Sequence, residues 1–405
     1  MIILIGTYKW VIRMSIRKKI LAFSGIRSDY DLLSGVYKEI NKDSAIDFRL
    51  VVSGAHLSPG YGYTLKYIEK DKLPILCKIE SLLDSNSPLS RIKSAAILLQ
   101  SCIHSVSEFA PDMIMFAGDR EDAMVAALIG IYAKIPTVHF FGGDHTVDGN
   151  VDNPVRHAIS KLSSLHFVIH DSHKERLKSL GEEDMRIHVV GNPALDRYKK
   201  IPYISKQNIL QSFNKESWKD YVIVIHHPIL GFEEKSGLYF EEILISLKKK
   251  KLNAFISYPN TDAGNKDTIS VIQKYLKDES FYFFKNLDRS LFINLMRNAL
   301  FMTGNSSAGI IESSIIPLAV LNVGERQKGR LASQNVIFVD QGIENISNGI
   351  EKVLSESFQA KLKNIKSIYG QGNSVGHIAY LLKNIDFTKF KYKTQDPLNG
   401  FLLSK

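Results

Sequence analysis

Short apolar runs of strand length recur along the chain, and most are followed by a stretch with helical spacing. In the first half they cover residues 20–23, 48–52, 113–117, 137–141, 165–169 and 187–190. They are mostly continuous rather than alternating, the pattern of parallel strands covered on both faces. Helical spacing fills 31–41, 91–108 and 120–133 between them. The rhythm pauses at Gly191-Asn192-Pro193 and the polar segment 196–205, then restarts at 222–225. It continues through 254–257, 281–284, 300–302, 318–321 and 336–339. Two βα series joined by a short connector predict an α/β protein with two Rossmann-like domains facing a cleft. The expected division is an N-terminal extension over 1–17, a first domain over 18–195 and a second over 196–375. A C-terminal helix and tail over 376–405 is expected to pack back on the first domain.

Composition narrows the class. A chain of 405 residues with 44% hydrophobic and 23% charged residues is ordinarily globular and suits two domains. Cys77 and Cys102 cannot make a disulfide framework or a four-ligand zinc site, and they fit a reducing cytoplasm. The net charge of +10 includes the run Lys248-Lys249-Lys250-Lys251, which reads as a solvated helix end. Basic residues do not cluster with stacking aromatics, so no nucleic-acid partner is expected. The apolar stretch 1–12 is too short to span a bilayer, and it lacks the leading charge and cleavage site of a signal peptide. No membrane partner is expected either.

In doubly wound folds ligands bind beyond the carboxyl ends of strands, which directs attention to the residues just after each run. Thr303-Gly304-Asn305-Ser306-Ser307-Ala308-Gly309 follows a strand and opens onto Ile310-Ile311-Glu312. Small residues and a helix start can approach an anion, and Glu312 can grip ribose hydroxyls. An ordinary N-capped helix gives the same pattern. Gly25-Ile26-Arg27-Ser28-Asp29-Tyr30 offers Arg27 to a diphosphate, or a surface arginine in a turn. Gly118-Asp119-Arg120 ends another strand, where Asp119 is either an acid/base group or a helix cap. Asp144 and Asp152 extend the acidic set, since converging carboxyls suit proton transfer. His226-His227-Pro228 can donate to phosphate or shuttle a proton. Zinc ligands at suitable spacing are lacking, so neither metal nor cofactor is expected.

Taken together these blocks resemble the hydrolysing UDP-N-acetylglucosamine 2-epimerases. The resemblance is carried by Gly25–Tyr30, His56-Leu57-Ser58-Pro59, Gly118-Asp119-Arg120, Gly142-Gly143-Asp144 and Arg156-His157-Ala158-Ile159. It continues in His227-Pro228, Tyr258-Pro259-Asn260-Thr261-Asp262-Ala263-Gly264, Gly304-Asn305-Ser306-Ser307 and the stretch Asn322 to Arg330. The blocks run in order from about Lys19 to about Gly376. The resemblance implies a GT-B type fold with UDP in the interdomain cleft and conversion of UDP-N-acetylglucosamine to N-acetylmannosamine and UDP. That reaction eliminates UDP through 2-acetamidoglucal, then hydrates it, and feeds sialic or related nonulosonic acid synthesis. It implies catalytic roles for Asp119, Asp152, Asp144, Arg120 and His227. Substrate contacts are implied for Arg27, Asp29, His56, Asn260, Asn305, Ser306, Ser307, Gly309, Glu312 and Arg326. A homodimer or homotetramer is expected.

The sequence departs from the family at two positions. Phe141 stands where related non-hydrolysing epimerases carry a catalytic Glu, and Asp144 stands where hydrolysing members often have Glu. A UDP-linked 2,4-diacetamido-2,4,6-trideoxyglucose is therefore an alternative substrate, and non-hydrolysing epimerisation an alternative outcome. A GT-B glycosyltransferase would not need clustered acids on the first domain, and a non-catalytic sensor would bind UDP and release nothing.

Overall fold

The continuous apolar runs become strands enclosed on both faces. The computed structural model describes residues 17–83, 89–145, 152–229, 231–259, 264–285 and 287–397. The front sheet holds β1 (Lys18–Ser24), β2 (Ile46–Ser53), β3 (Ile75–Ile79), β4 (Met113–Ala117), β5 (Thr137–Phe140), β6 (Leu165–Val168) and β7 (Ile187–Val189). Their order is β3-β2-β1-β4-β5-β6-β7, parallel throughout. The rear sheet holds β8 (Val222–Ile225), β9 (Ala254–Ser257), β10 (Phe281–Phe284), β11 (Phe301–Gly304), β12 (Ala319–Val323) and β13 (Val336–Val339). Its order is β10-β9-β8-β11-β12-β13, again parallel. The hydrophobic pattern did not single out β3, an edge strand whose Lys78 is exposed.

Alternation within each strand feeds two cores per sheet. Ile20, Ala22, Leu50 and Met115 pack with Leu33, Val36 and Tyr37 of the helix Arg27–Asn41. Leu21, Phe23, Ile114 and Phe116 face the helices Leu89–Phe109 and Glu121–Ala133 on the other side. In the rear sheet Ile223, Phe255 and Met302 take one face, and Val222, Val224 and Leu321 the other. Each fully buried aliphatic or Phe side chain contributes roughly 1.5–3 kcal/mol.

The chain crosses between the lobes twice, side by side. Asn192 N–H donates to the Tyr369 carbonyl at 2.6 Å. Buried Asp196 accepts from the backbone N–H groups of Ser374 (3.0 Å) and Val375 (2.8 Å), satisfying the free donors at the start of the helix Ser374–Asn384. That helix lies against the helix Arg27–Asn41 and adds Val375, Ile378 and Leu382 to the front core, joined by Phe387 and Phe390. Lys18 Nζ donates to the carbonyls of Leu382, Lys383 and Ile385 at its far end.

The tail is also held by charge. Glu182, fully enclosed, accepts from His166 Nε2 at 2.9 Å and faces Lys393 Nζ at 2.6 Å and Lys161 Nζ at 3.1 Å. Arg186 donates to the carbonyls of Phe390 and Tyr392. Burial alone would raise the Glu182 carboxyl, but the His166 hydrogen bond and the Lys393 charge hold it down to about 2. A carboxyl so depressed contributes stability that is fully present above about 4.5 and is lost as pH falls from there toward 2. Glu182→Gln is expected to lower stability at neutral pH by about 3 kcal/mol, because Lys393 loses its partner. It should also flatten the acid limb, and urea unfolding from pH 7 down to acid measures both effects.

Candidate active site

The residues after β4 and β5 form an acidic edge. Asp119 does not cap the following helix: Arg120 occupies the N-cap position, without a side-chain cap bond. The Asp119 carboxylate instead pairs with Arg156, a buried guanidinium on the helix Asp152–Leu162. Arg156 also donates to the Asp144 carbonyl at 3.2 Å, so one arginine ties the two acidic loops together. Beneath them lies His139, which burial holds neutral, down to about 3. Its Nε2 must carry the proton, because it meets the Gly118 carbonyl at 2.7 Å. Nδ1 lies 3.0 Å from Ser160 Oγ, whose one proton is within reach of both this nitrogen and the Arg156 carbonyl. This fixes the backbone from which Asp119 projects.

The three carboxyls sit in different fields. Asp152 opens its helix, and its carboxyl is raised by burial and then by the Asp119 charge, against Arg91 at 4.0 Å. Asp144 would be raised by burial too, but it is held low by Arg330, whose Nη2 lies 2.9 Å from Oδ2 and comes from the opposite lobe. His173, at 3.6 Å, adds to that. Phe141 adopts φ +64 and packs against both the front and rear cores, so its side chain serves the lobe junction rather than the acidic edge.

The rear loops are built around close backbone approach. Gly304 has φ +119, and a Cβ there would lie 2.1 Å from the Ile225 carbonyl oxygen, so only glycine lets β11 end beside β8. Asn305 then clips the two loops: Oδ1 accepts from His227 N–H and Nδ2 donates to the His227 carbonyl, both at 2.8 Å. Its own carbonyl accepts from Arg326 at 3.1 Å. Fully buried with its amide spent, Asn305 does not face a ligand as expected. Gly309 is likewise buried, and a Cβ would come 3.0 Å from Val320 Cγ1, so it serves the seating of the helix Ser307–Ile311 on β12. Ser306 and Ser307 stay partly open, with Ser306 Oγ accepting from Ala308 N–H at 3.3 Å. Burial raises the Glu312 carboxyl, which bonds the Tyr198 hydroxyl from the connector. Of the histidine pair, His226 is buried and held down to about 3 by burial, while His227 is partly open.

The loops after β1 and β2 correct two further expectations. His56 is fully enclosed, with Nε2 on Ser24 Oγ (3.0 Å) and Nδ1 on Thr64 Oγ1 (2.7 Å), so it anchors the loop and cannot reach a substrate. Asp29 uses Oδ1 for the Ser24 hydroxyl and Oδ2 for the N–H groups of Gly25 and Ile26. It holds the turn. Arg27 lies on the wall of a groove of roughly 910 Å3 between the lobes, near Asp31 at 3.4 Å and over the Tyr67 ring. Across that groove Arg289 pairs with Asp31. Arg120 lines a smaller hollow on the front lobe, and its charge still acts on Asp152. Asn260 lies outside the described residues. Sequence reasoning did not single out Arg330 or His173, because nothing local marks a residue whose partner is an acid on another element. Among the described residues, no group of three potential metal ligands comes together, and no helix is long and apolar enough to cross a membrane.

The family model described as UDP-N-acetylglucosamine 2-epimerase matches residues 38–383. The chain is 33% identical over 368 residues to a UDP-N,N'-diacetylbacillosamine 2-epimerase (hydrolyzing) of Legionella pneumophila, covering 91% of this chain and 96% of that protein. It is 32% identical over 347 residues to a GDP/UDP-N,N'-diacetylbacillosamine 2-epimerase (hydrolyzing) of Campylobacter jejuni, covering 85% and 89%. The fold is similar to the crystal structure of UDP-GlcNAc 2-epimerase from Neisseria meningitidis bound to UDP-GlcNAc, with TM-score 0.76, 20% identity, and coverage of 90% and 100%.

Arg330 is the cross-lobe counter-ion of Asp144, so Arg330→Met should raise the pH at which that carboxyl titrates. Carbon-13 NMR of carboxyl-labelled protein measures it, and an unchanged titration would remove Arg330 from this role.

Proposed function

The chain belongs to the UDP-N-acetylglucosamine 2-epimerase family, and on that footing we propose that it is a hydrolysing 2-epimerase acting on a UDP-linked 2-acetamido sugar. The preferred substrate on this reading is UDP-2,4-diacetamido-2,4,6-trideoxyglucose, supported by the names of the Legionella and Campylobacter relatives described above. UDP-N-acetylglucosamine is the second reading, supported by the ordered family blocks. The observation that carries the chemistry is the split among three neighbouring carboxyls: Asp119 on Arg156, Asp144 on Arg330, and Asp152 raised.

The reaction explains why such a split is useful. The sugar's C2–H has no adjacent carbonyl, so it cannot be removed as a free carbanion. Cleavage of the C1–O bond to the diphosphate builds oxocarbenium character and acidifies that proton. Arg27, His227, Ser306 and Ser307 supply donors to the departing diphosphate, and Glu312 reaches the ribose. Arg326, bonded to the Asn305 carbonyl, steadies the loop that carries the serines. Asp119, ion-paired and close to Asp152, takes the C2 proton to give the glycal. Asp152, whose carboxyl is raised by burial and by the Asp119 charge, returns a proton to C2 from the opposite face while water adds at C1. The products are UDP and the free C2-epimeric sugar. Environments that push paired acids apart assign acid and base in this way.

Proton NMR in deuterated water tests the reading. Free UDP and a C2-deuterated epimer are expected, whereas a UDP-linked epimer would indicate the non-hydrolysing reaction. Asp119→Asn should keep UDP affinity and lose roughly 10²–10⁴-fold in turnover. Wild-type turnover in that variant would take Asp119 out of the mechanism.

A further inference from the structure

The front sheet reverses its strand order between β1 and β4, and a separate hollow of about 200 Å3 opens at that point. Its walls include Gly25, Ala55, Arg91, Ser94, Ala95 and Asp122, and every lining residue comes from the front lobe. None of them belongs to the rear loops around Gly304 and His227. Arg91 connects the hollow to the acidic edge, with Nη2 4.0 Å from Asp152.

The walls differ in character. Ala55 and Ala95 make an apolar side. Polar groups around it include Arg91, Ser94, Arg120, Glu121 and Asp122, with the Arg91 Nε paired to Glu121 and its terminal nitrogens left toward the hollow and Asp152. Ser94 Oγ already accepts from Leu83 N–H at 3.0 Å, which leaves its hydroxyl proton to donate. Asp122 is bonded by the Ser53 hydroxyl and presses on Gly25, where a Cβ would meet Oδ2 at 2.1 Å. Burial pushes its carboxyl up to about 6 despite that bond, the mark of a carboxylate short of donors. A ligand N–H would relieve it.

An acylamino group matches this arrangement: an N–H for Asp122, a carbonyl for Ser94 and Arg91, and a methyl for the alanines. A bare hydroxyl would satisfy only the polar side. Within a pyranose, C4 stands across the ring from C1. With C1 tied to a diphosphate on the rear lobe and C2 at Asp119 and Asp152, C4 is the position directed into the front lobe. We infer that this hollow seats the C4 acylamino substituent of the sugar, and that Ala95 and Asp122 set a preference for 4-acylamino over 4-hydroxy UDP-sugars. The inference rests on the 2-epimerase reading of the cleft.

The test compares UDP release from UDP-2,4-diacetamido-2,4,6-trideoxyglucose and from UDP-N-acetylglucosamine by wild type and Ala95→Leu. Filling the apolar wall should lower kcat/KM for the diacetamido sugar by roughly tenfold or more and leave that for UDP-N-acetylglucosamine unchanged. UDP affinity by calorimetry, at the wild-type value, reports an intact fold, and Ser94→Leu repeats the test if Ala95→Leu does not fold. Equal losses on both sugars, or no loss on either, would overturn the assignment of the hollow alone. So would a wild type that turns over only UDP-N-acetylglucosamine. Release of UDP from neither sugar by wild type would overturn the 2-epimerase reading, and this inference with it.

Discussion

Parallel strands buried on both faces leave a chain few places to put chemistry. Their side chains are committed to core on either side, so polar groups that meet a ligand must come from the loops at the strands' carboxyl ends. Both sheets here obey that constraint, and each reverses its strand order once, at β1/β4 and at β8/β11. At the reversals loop backbones come close enough that side chains would collide, as Gly304 against Ile225 and Gly25 against Asp122 demonstrate. Residues around these points divide into those that hold the loops in place and those left over to act. His56, Asp29 and Asn305 belong to the first kind; the proposed function assigns Asp119, Asp152 and His227 to the second.

Electrostatics then separates groups that are chemically alike. Three aspartates lie on adjoining loops, yet one is matched by an arginine of its own lobe and one by an arginine from the other lobe. The third keeps a raised proton affinity. The same residue type can in this way serve as base, acid or fixed charge, with the assignment made by the neighbours. Neutral His139, locked between Gly118 and Ser160, contributes by geometry alone.

Much of the architecture was legible in the sequence because hydrophobic burial writes itself into local pattern. Runs at 222–225, 254–257, 281–284 and 336–339 coincide with β8, β9, β10 and β13. The edge strand β3 escaped because it is only partly buried and its run is broken by exposed Lys78. At the site, position after a strand drew attention to Asp119 and Asp144, but the same rule pointed to Asn305, and the family resemblance to His56, both of which turn inward. Pattern locates a loop; it does not say which way a side chain points within it. Pairings between the lobes were hidden altogether, since Arg330 is 186 residues from Asp144 and neither residue carries a local mark of the other.

The return of the C-terminal segment has a consequence for how the molecule is made. The rear lobe's strands, β8 to β13, form one uninterrupted stretch of chain. The front lobe's core is incomplete without Val375, Ile378, Leu382, Phe387 and Phe390. During synthesis, therefore, the half that is translated first is finished last: it waits, with apolar surface uncovered, until residues 374–390 have cleared the ribosome. The usual order of domain completion along a nascent chain is reversed.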